Sequence, residues 1–294
     1  MKRSYKKILV GMMAATMLFA VGCGDKEDGA ADTAISGEIT VVSREDGSGT
    51  RGAFIELTGV EQKDANGNRE DLTTDEAIIA SKTDVMLTNI ANAREAIGYI
   101  SLGSLNDKVK AVKIDGVEAS AANIANGSYA LQRPFNVAVK GEGNAAVKDF
   151  INYIMSAEGQ SVIEENGYIK VDEAAKAFTS TKPTGKITVG GSSSVSPVME
   201  KLIEAYHNVN ANLKIELQTN DSTSGMQGTM EGTYDIGMAS RELKDSEASE
   251  LTGTAIAKDG IAVIVNNGNP ISDISKDMIR KIYTGEVTDW EGVK

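Results

Sequence analysis

Residues 43–54, SREDGSGTRGAF, set Arg44 and Arg51 around a run of Ser, Gly and Thr that also contains Asp46. Arginine offers a planar fork of N–H donors that fits an oxyanion. Ser, Gly and Thr at a helix start add hydroxyls and free backbone N–H groups, where the helix dipole favours negative charge. Two further stretches repeat the neutral half of this chemistry: GGSSSVSP at 190–197 and NDSTSG at 220–225. Taken singly, such loops are mostly helix caps; three of them together with Arg44 describe a cradle for a small anion. Asp46 is the odd member, a negative charge where a negative guest would sit.

These loops need elements to aim them. Runs of β type occur at 39–42, 96–102, 135–139, 187–189, 213–217 and 261–265, and amphipathic helices at 145–156, 197–207 and from Ser275 to Gly285. The alternation predicts an α/β protein. Each Ser/Gly loop follows a strand and precedes a helix, so backbone N–H groups from three units can point at one place. The stretch 171–185, VDEAAKAFTSTKPTG, has weak periodicity, a proline and a closing glycine, and is expected to link two halves.

The chain of 294 residues is long enough for two lobes. Its first 23 residues combine a basic head, a short apolar run and Gly22 before Cys23, which is the pattern of an export signal. Residues A-V-G-C resemble a bacterial lipobox, which makes Cys23 the expected lipidated first residue, with 24–37 as a polar tether. Cys23 is the single cysteine, so an internal disulfide is excluded. Removal of Lys2, Arg3, Lys6 and Lys7 takes the formal charge from −12 to −16. Such a surface repels nucleic acid, and any anion must be held by local donors against the overall field.

Other signals point to no chemistry. DANGNREDLTTD, 64–75, has Asp64, Asn66 and Asn68 at calcium-loop spacing but Arg69 where that loop needs glycine. His207 is the single histidine, which leaves a hydrolase triad one candidate base. GKI at 185–187 lacks the rest of a phosphate-binding lysine loop. Tyr99 and Trp290 are expected to fill core or hinge. No cofactor and no metal are expected.

SREDGSGTRGAF, GGSSSVSPVMEKL, QTNDSTSG, DIGMASREL and KDGIAVIVNNGNPISDI together resemble the phosphate-binding lipoproteins of bacterial phosphate ABC importers. The resemblance covers nearly all of 38–170 and 186–294. It implies a two-lobed periplasmic-binding-protein-like (type 2) fold, each lobe a mixed sheet flanked by helices. It also implies capture of inorganic phosphate between the lobes, delivery to the permease and ATPase subunits of an importer, and no catalysis. Carried across, Arg44 is the charged ligand, Asp46 a hydrogen-bond acceptor, and Ser48, Gly49 and Thr50 helix-start donors. Ser193, Ser194 and Ser222 come from the other lobe. DIGMASR departs from the family version in which Asp follows Ser: here Arg241 follows Ser240, and both are carried as candidate ligands. On this reading Asp46 selects a guest that still carries a proton, as phosphate does near neutral pH and sulfate does not. The plainer alternative has Asp46 capping its turn or pairing with Arg44.

The order of segments differs from that of the resembled family, in which the GGSSS-type loop comes first. Every part is present once, as in a circular permutation. The expected division is a lobe of 38–130 plus 255–294 carrying Arg44, and a lobe of 131–254 containing the linker and the Ser193 loop. A truncated tandem array or a half-exchanging dimer would show the same order. A receptor for molybdate or sulfate, a serine hydrolase or phosphatase, and a plain interaction module are the competing functions.

Overall fold

The computed structural model describes residues 34–293. The export signal, Cys23 and most of the tether lie outside the described residues. No described helix is long and apolar enough to cross a membrane.

Two large apolar clusters form. One gathers buried residues from Ile39 to Leu131 and from Ile261 to Trp290; the other runs from Phe135 to Ala257. The chain changes from one to the other only twice, near residue 132 and near residue 260. Both lobes are α/β, as the sequence predicts, because each buries sheet faces rich in Val and Ile under helices with one apolar side.

In the second cluster, strand Gly185–Ser192 lies between Leu213–Asn220 and Ile236–Ala239, parallel to both. Helix Ser196–Val209 leads to the first neighbour and helix Ser222–Met230 to the second, so the connections part at the carboxyl end of the central strand. Such a switch point leaves a crevice in an open α/β sheet. The first cluster repeats the arrangement. Strand Thr40–Arg44 lies parallel between Ile78–Ala80 and Ala96–Ser101, and helices Gly49–Thr58 and Thr83–Asn92 complete the unit. The carboxyl ends of the two central strands are Arg44 and Ser192, the starts of the two loops that carry the expected chemistry.

Two long antiparallel strands join the lobes. Gln132–Lys140 pairs with the first ten residues of Leu251–Asn266, whose last part then pairs with Ala96–Ser101. The sequence signals only 261–265 of this strand, because residues 251–260 mix Gly, Thr, Lys and Asp with the apolar positions.

The 171–185 stretch is fastened to one lobe. The Asp149 carboxylate accepts from Thr181 N and Oγ1, at 2.7 and 2.8 Å, and from the Ser180 and Tyr206 hydroxyls. Burial alone would push Asp149 upward, but these donors hold it below the usual carboxylate value. Asp64 accepts from the amides of Asn66 and Asn68, each at 2.8 Å, which closes a surface hairpin.

Candidate functional site

The 43–50 loop is built to keep Arg44 buried. Tyr99, at 0% exposure, stacks on Phe54 with ring centroids 3.9 Å apart; its hydroxyl meets Ser43 Oγ at 2.9 Å and accepts from Arg44 N at 3.2 Å. Burial pushes this phenol up to about 12, so it stays neutral. Ser48 Oγ accepts from Arg51 N and caps the helix that begins at Gly49.

The Arg44 guanidinium is 2% exposed and forked onto Glu45, with Nε and Nη2 each 2.8 Å from a carboxylate oxygen. Nε also reaches the Ala80 carbonyl. On the far side Nη2 donates to Ser193 Oγ at 3.1 Å, and Nη1 lies 3.5 Å from Thr83 Oγ1, itself 3.3 Å from Ser193 Oγ. The two switch points are thus in contact.

Hydroxyls continue the cluster. Thr50 Oγ1 and Ser194 Oγ are 2.8 Å apart across the seam, and Ser192, Ser222 and Ser240 are linked through their Oγ atoms. Thr223 N donates to the Gly47 carbonyl at 3.1 Å, a backbone link between lobes. Gly49 is required here: a Cβ would stand 2.3 Å from Ser222 Oγ. Gly191, at φ +137°, lies in a region that favours glycine, and a Cβ there would meet the Met238 carbonyl. Two of the helix starts, at Thr83 and Ser196, carry no side-chain cap. Their N–H groups remain to be satisfied by something other than a capping side chain.

Of the residues singled out in the sequence, Arg44, Ser48, Gly49, Thr50, Ser193, Ser194, Ser222 and Ser240 come together, all of them buried. Two do not join them. Asp46 has a side chain 97% exposed and pairs with Arg51 at 2.8 Å. The cause is a tight turn closed by Ser48 N on the Glu45 carbonyl, which sends residue 46 outward to the first helical turn. Arg241 is forked onto Glu247, at 2.7 and 2.8 Å, and also donates to the Glu242 carbonyl and Thr223 Oγ1. Burial works against the Glu247 charge, but Arg241 and the Lys244 amide hold its carboxyl below the ordinary value.

Sequence reasoning missed Glu45 and Thr83. Glu45 was masked by the more suggestive Asp beside it. Thr83 follows a strand of three residues with Ile78 and Ile79 exposed, too short and too irregular to show as a period; the Thr-Asp pair at the helix start was its available signal.

Two α/β lobes joined by two strands, with switch points and helix starts facing across a seam, define the architecture of a bilobed solute-binding protein. Comparison with known proteins agrees. The model of the PBP superfamily domain matches residues 25–158 and 176–292. The phosphate-binding protein PstS 2 of Streptococcus agalactiae serotype V is 47% identical over 289 residues, 97% of this chain and 98% of that one. PstS 2 of Streptococcus pneumoniae serotype 4 is 43% identical over 293 residues, 99% of both. A crystal structure of a phosphate-binding protein of a phosphate ABC transporter from S. pneumoniae TIGR4 superposes with a TM-score of 0.70 at 44% identity, covering 88% of this chain and 100% of that one. The chain belongs to the PBP superfamily and, within it, to the family of PstS phosphate-binding proteins. The alignments span both chains almost end to end, so the segment order is shared with these relatives.

Proposed function

We propose that the protein captures inorganic phosphate in the seam between its lobes and hands it to the permease and ATPase subunits of an ABC importer. It works at the extracytoplasmic face of the membrane, held by a lipid on Cys23. The observation that carries this reading is the contact between Arg44 Nη2 and Ser193 Oγ at 3.1 Å, which joins the two switch points around one charged donor. Arg44, Ser48, Gly49, Thr50, Ser193, Ser194, Ser222 and Ser240 form the binding set, with Thr83 added. Neutral donors dominate, as an anion site on an acidic protein requires.

Glu45, the carboxylate against Arg44, takes over the part that Asp46 was expected to play. It offsets the Arg44 charge and leaves an acceptor at the site, which favours a protonated tetrahedral guest over sulfate. A serine hydrolase is disfavoured by His207. It engages the Leu213 carbonyl at 3.1 Å and lies eleven residues along the helix from Ser196, roughly 16 Å at the rise of an α-helix.

Isothermal titration of the purified protein should show saturable phosphate binding that sulfate does not displace. Glu45→Gln should narrow the gap between the two anions. Equal affinity for both in the wild type would remove the selectivity argument, and absence of phosphate binding would remove the function.

A further inference from the structure

The two places where the chain passes between lobes lie side by side, and a buried ion pair sits between them. Arg133 and Asp259 are register partners on the two long strands, with side chains 2% and 1% exposed. Arg133 Nε and Nη2 lie 3.3 and 3.1 Å from Asp259 Oδ2. The other carboxylate oxygen, Oδ1, accepts from Ser101 Oγ at 3.0 Å, and the Gly103 amide also reaches this carboxylate. Ser101 and Gly103 belong to the Arg44 lobe. Arg133 has one arm left: Nη1 donates to the Ser240 carbonyl at 2.9 Å.

Ser240 is a member of the anion cluster. Its Oγ meets Ser192 at 2.9 Å and Ser222 at 3.5 Å, and its amide donates to Ser222 Oγ at 3.1 Å. One guanidinium therefore connects the crossing to the seam. Apolar side chains would pack such a crossing as stably as a buried ion pair does. They would lack direction, which the rigid fork of arginine supplies.

The surroundings keep this pair isolated from water. Arg133 stands 5.4 Å from the Phe135 ring centroid, and the Tyr168 ring packs against Gly103. Burial, with the Asp259 charge adding to it, raises the Tyr129 and Tyr168 phenols, and burial, with Arg44 adding to it, disfavours the Arg133 charge that Asp259 favours. Burial pushes Asp259 up to about 6 against the pull of Arg133.

We infer that Arg133, oriented by Asp259, is a positioning residue for the anion site, fixing the Ser240 carbonyl and so the hydroxyl that Ser240 turns into the seam. The inference rests on phosphate being the ligand of that seam. Arg133 touches no ligand itself; it acts through Ser240.

The test pairs calorimetric titration with inorganic phosphate and thermal midpoints measured without it, on the wild type, Arg133→Lys and the double variant Arg133→Gln/Asp259→Asn. Lysine keeps the charge but cannot serve Asp259 and Ser240 with a planar fork, so phosphate affinity should fall about tenfold. The double variant removes both charges and leaves a neutral amide pair. Its midpoint should return close to that of the wild type while its affinity stays about tenfold weaker, a split that a purely structural pair would not produce.

A double variant that binds as tightly as the wild type overturns the inference and leaves the assigned function intact. A wild type that does not bind phosphate overturns the function instead. Should the variants not fold, the wild type decides: the Arg133 Nε–H resonance should shift on phosphate addition, and an unmoved resonance refutes the coupling.

Discussion

Arg44 and Arg241 face the same seam from opposite lobes, each nearly buried and each forked onto a glutamate, yet only Arg44 joins the hydroxyl cluster proposed to hold the anion. The difference lies in which edge of the guanidinium the glutamate takes. Glu45 holds the Nε and Nη2 edge and leaves the outer end turned to Thr83 and Ser193. Glu247 takes the outer Nη1 and Nη2 end of Arg241, and the Glu242 carbonyl and Thr223 share those same two nitrogens. On the proposed function, Arg44 is available to a ligand because its partner approaches from the side, and Arg241 is not. Composition and spacing cannot distinguish the two cases.

The sharpest way to break this comparison is Arg44→Met. It removes the charged donor of the seam and leaves Glu45 half-buried without its partner, so phosphate affinity should drop by about a hundredfold or more in calorimetry. A loss below about threefold would mean that the hydroxyls alone hold the guest.

Glu247→Gln should act on stability instead. Leaving Arg241 buried without a charged partner costs about 3 kcal/mol in denaturant unfolding, with phosphate affinity of the folded protein unchanged within about threefold. Because the folded Glu247 carboxyl titrates below its ordinary 4.5, the stabilisation relative to Glu247→Gln is complete above that pH. It vanishes as pH falls through the lower folded-state value. An advantage that grew on acidification would contradict the arrangement.

Thr83→Ala tests the hydroxyl that the short strand conceals. One lost hydrogen bond to the guest lowers affinity by about tenfold, and an unchanged titration would place Thr83 outside the binding set. The smallest effect is expected of Asp46→Asn: with a side chain 97% exposed, its phosphate-to-sulfate preference should match the wild type within about twofold. A large change in selectivity would restore Asp46 to the site.

Much of this arrangement is legible in the sequence where local chemistry and long-range placement agree. Ser193 and Ser194 follow a strand and precede a helix, so their direction is set within a few residues. The same holds for Ser222, which starts a helix capped by Asp221. Ser275 as cap and Gly285 as stop bound the last long helix as expected. What stayed hidden depends on partners distant in sequence. Glu45 and Asp46 are adjacent carboxylates, and only the turn closed by Ser48 decides which faces inward. Arg241 is claimed by a glutamate six positions on, in a helix of four residues. The Arg133–Asp259 pair is separated by 126 positions and exists only because two strands meet in register. The 171–185 stretch has only weak periodicity because what fastens it is hydrogen bonds to Asp149 and one ring, Phe178, packed against Tyr153 and Tyr206, which leaves no repeating pattern of apolar residues.

Gly37 donates its amide to the Glu291 carboxylate, Glu38 bridges to Asp289, and Arg94 grips the Ala34 carbonyl. The leading end of the described chain is therefore stitched into the Arg44 half. A pull arriving from upstream would therefore be borne first by that half, and it would reach the Ser193 half through the two antiparallel crossing strands and the hydrogen bonds across the seam.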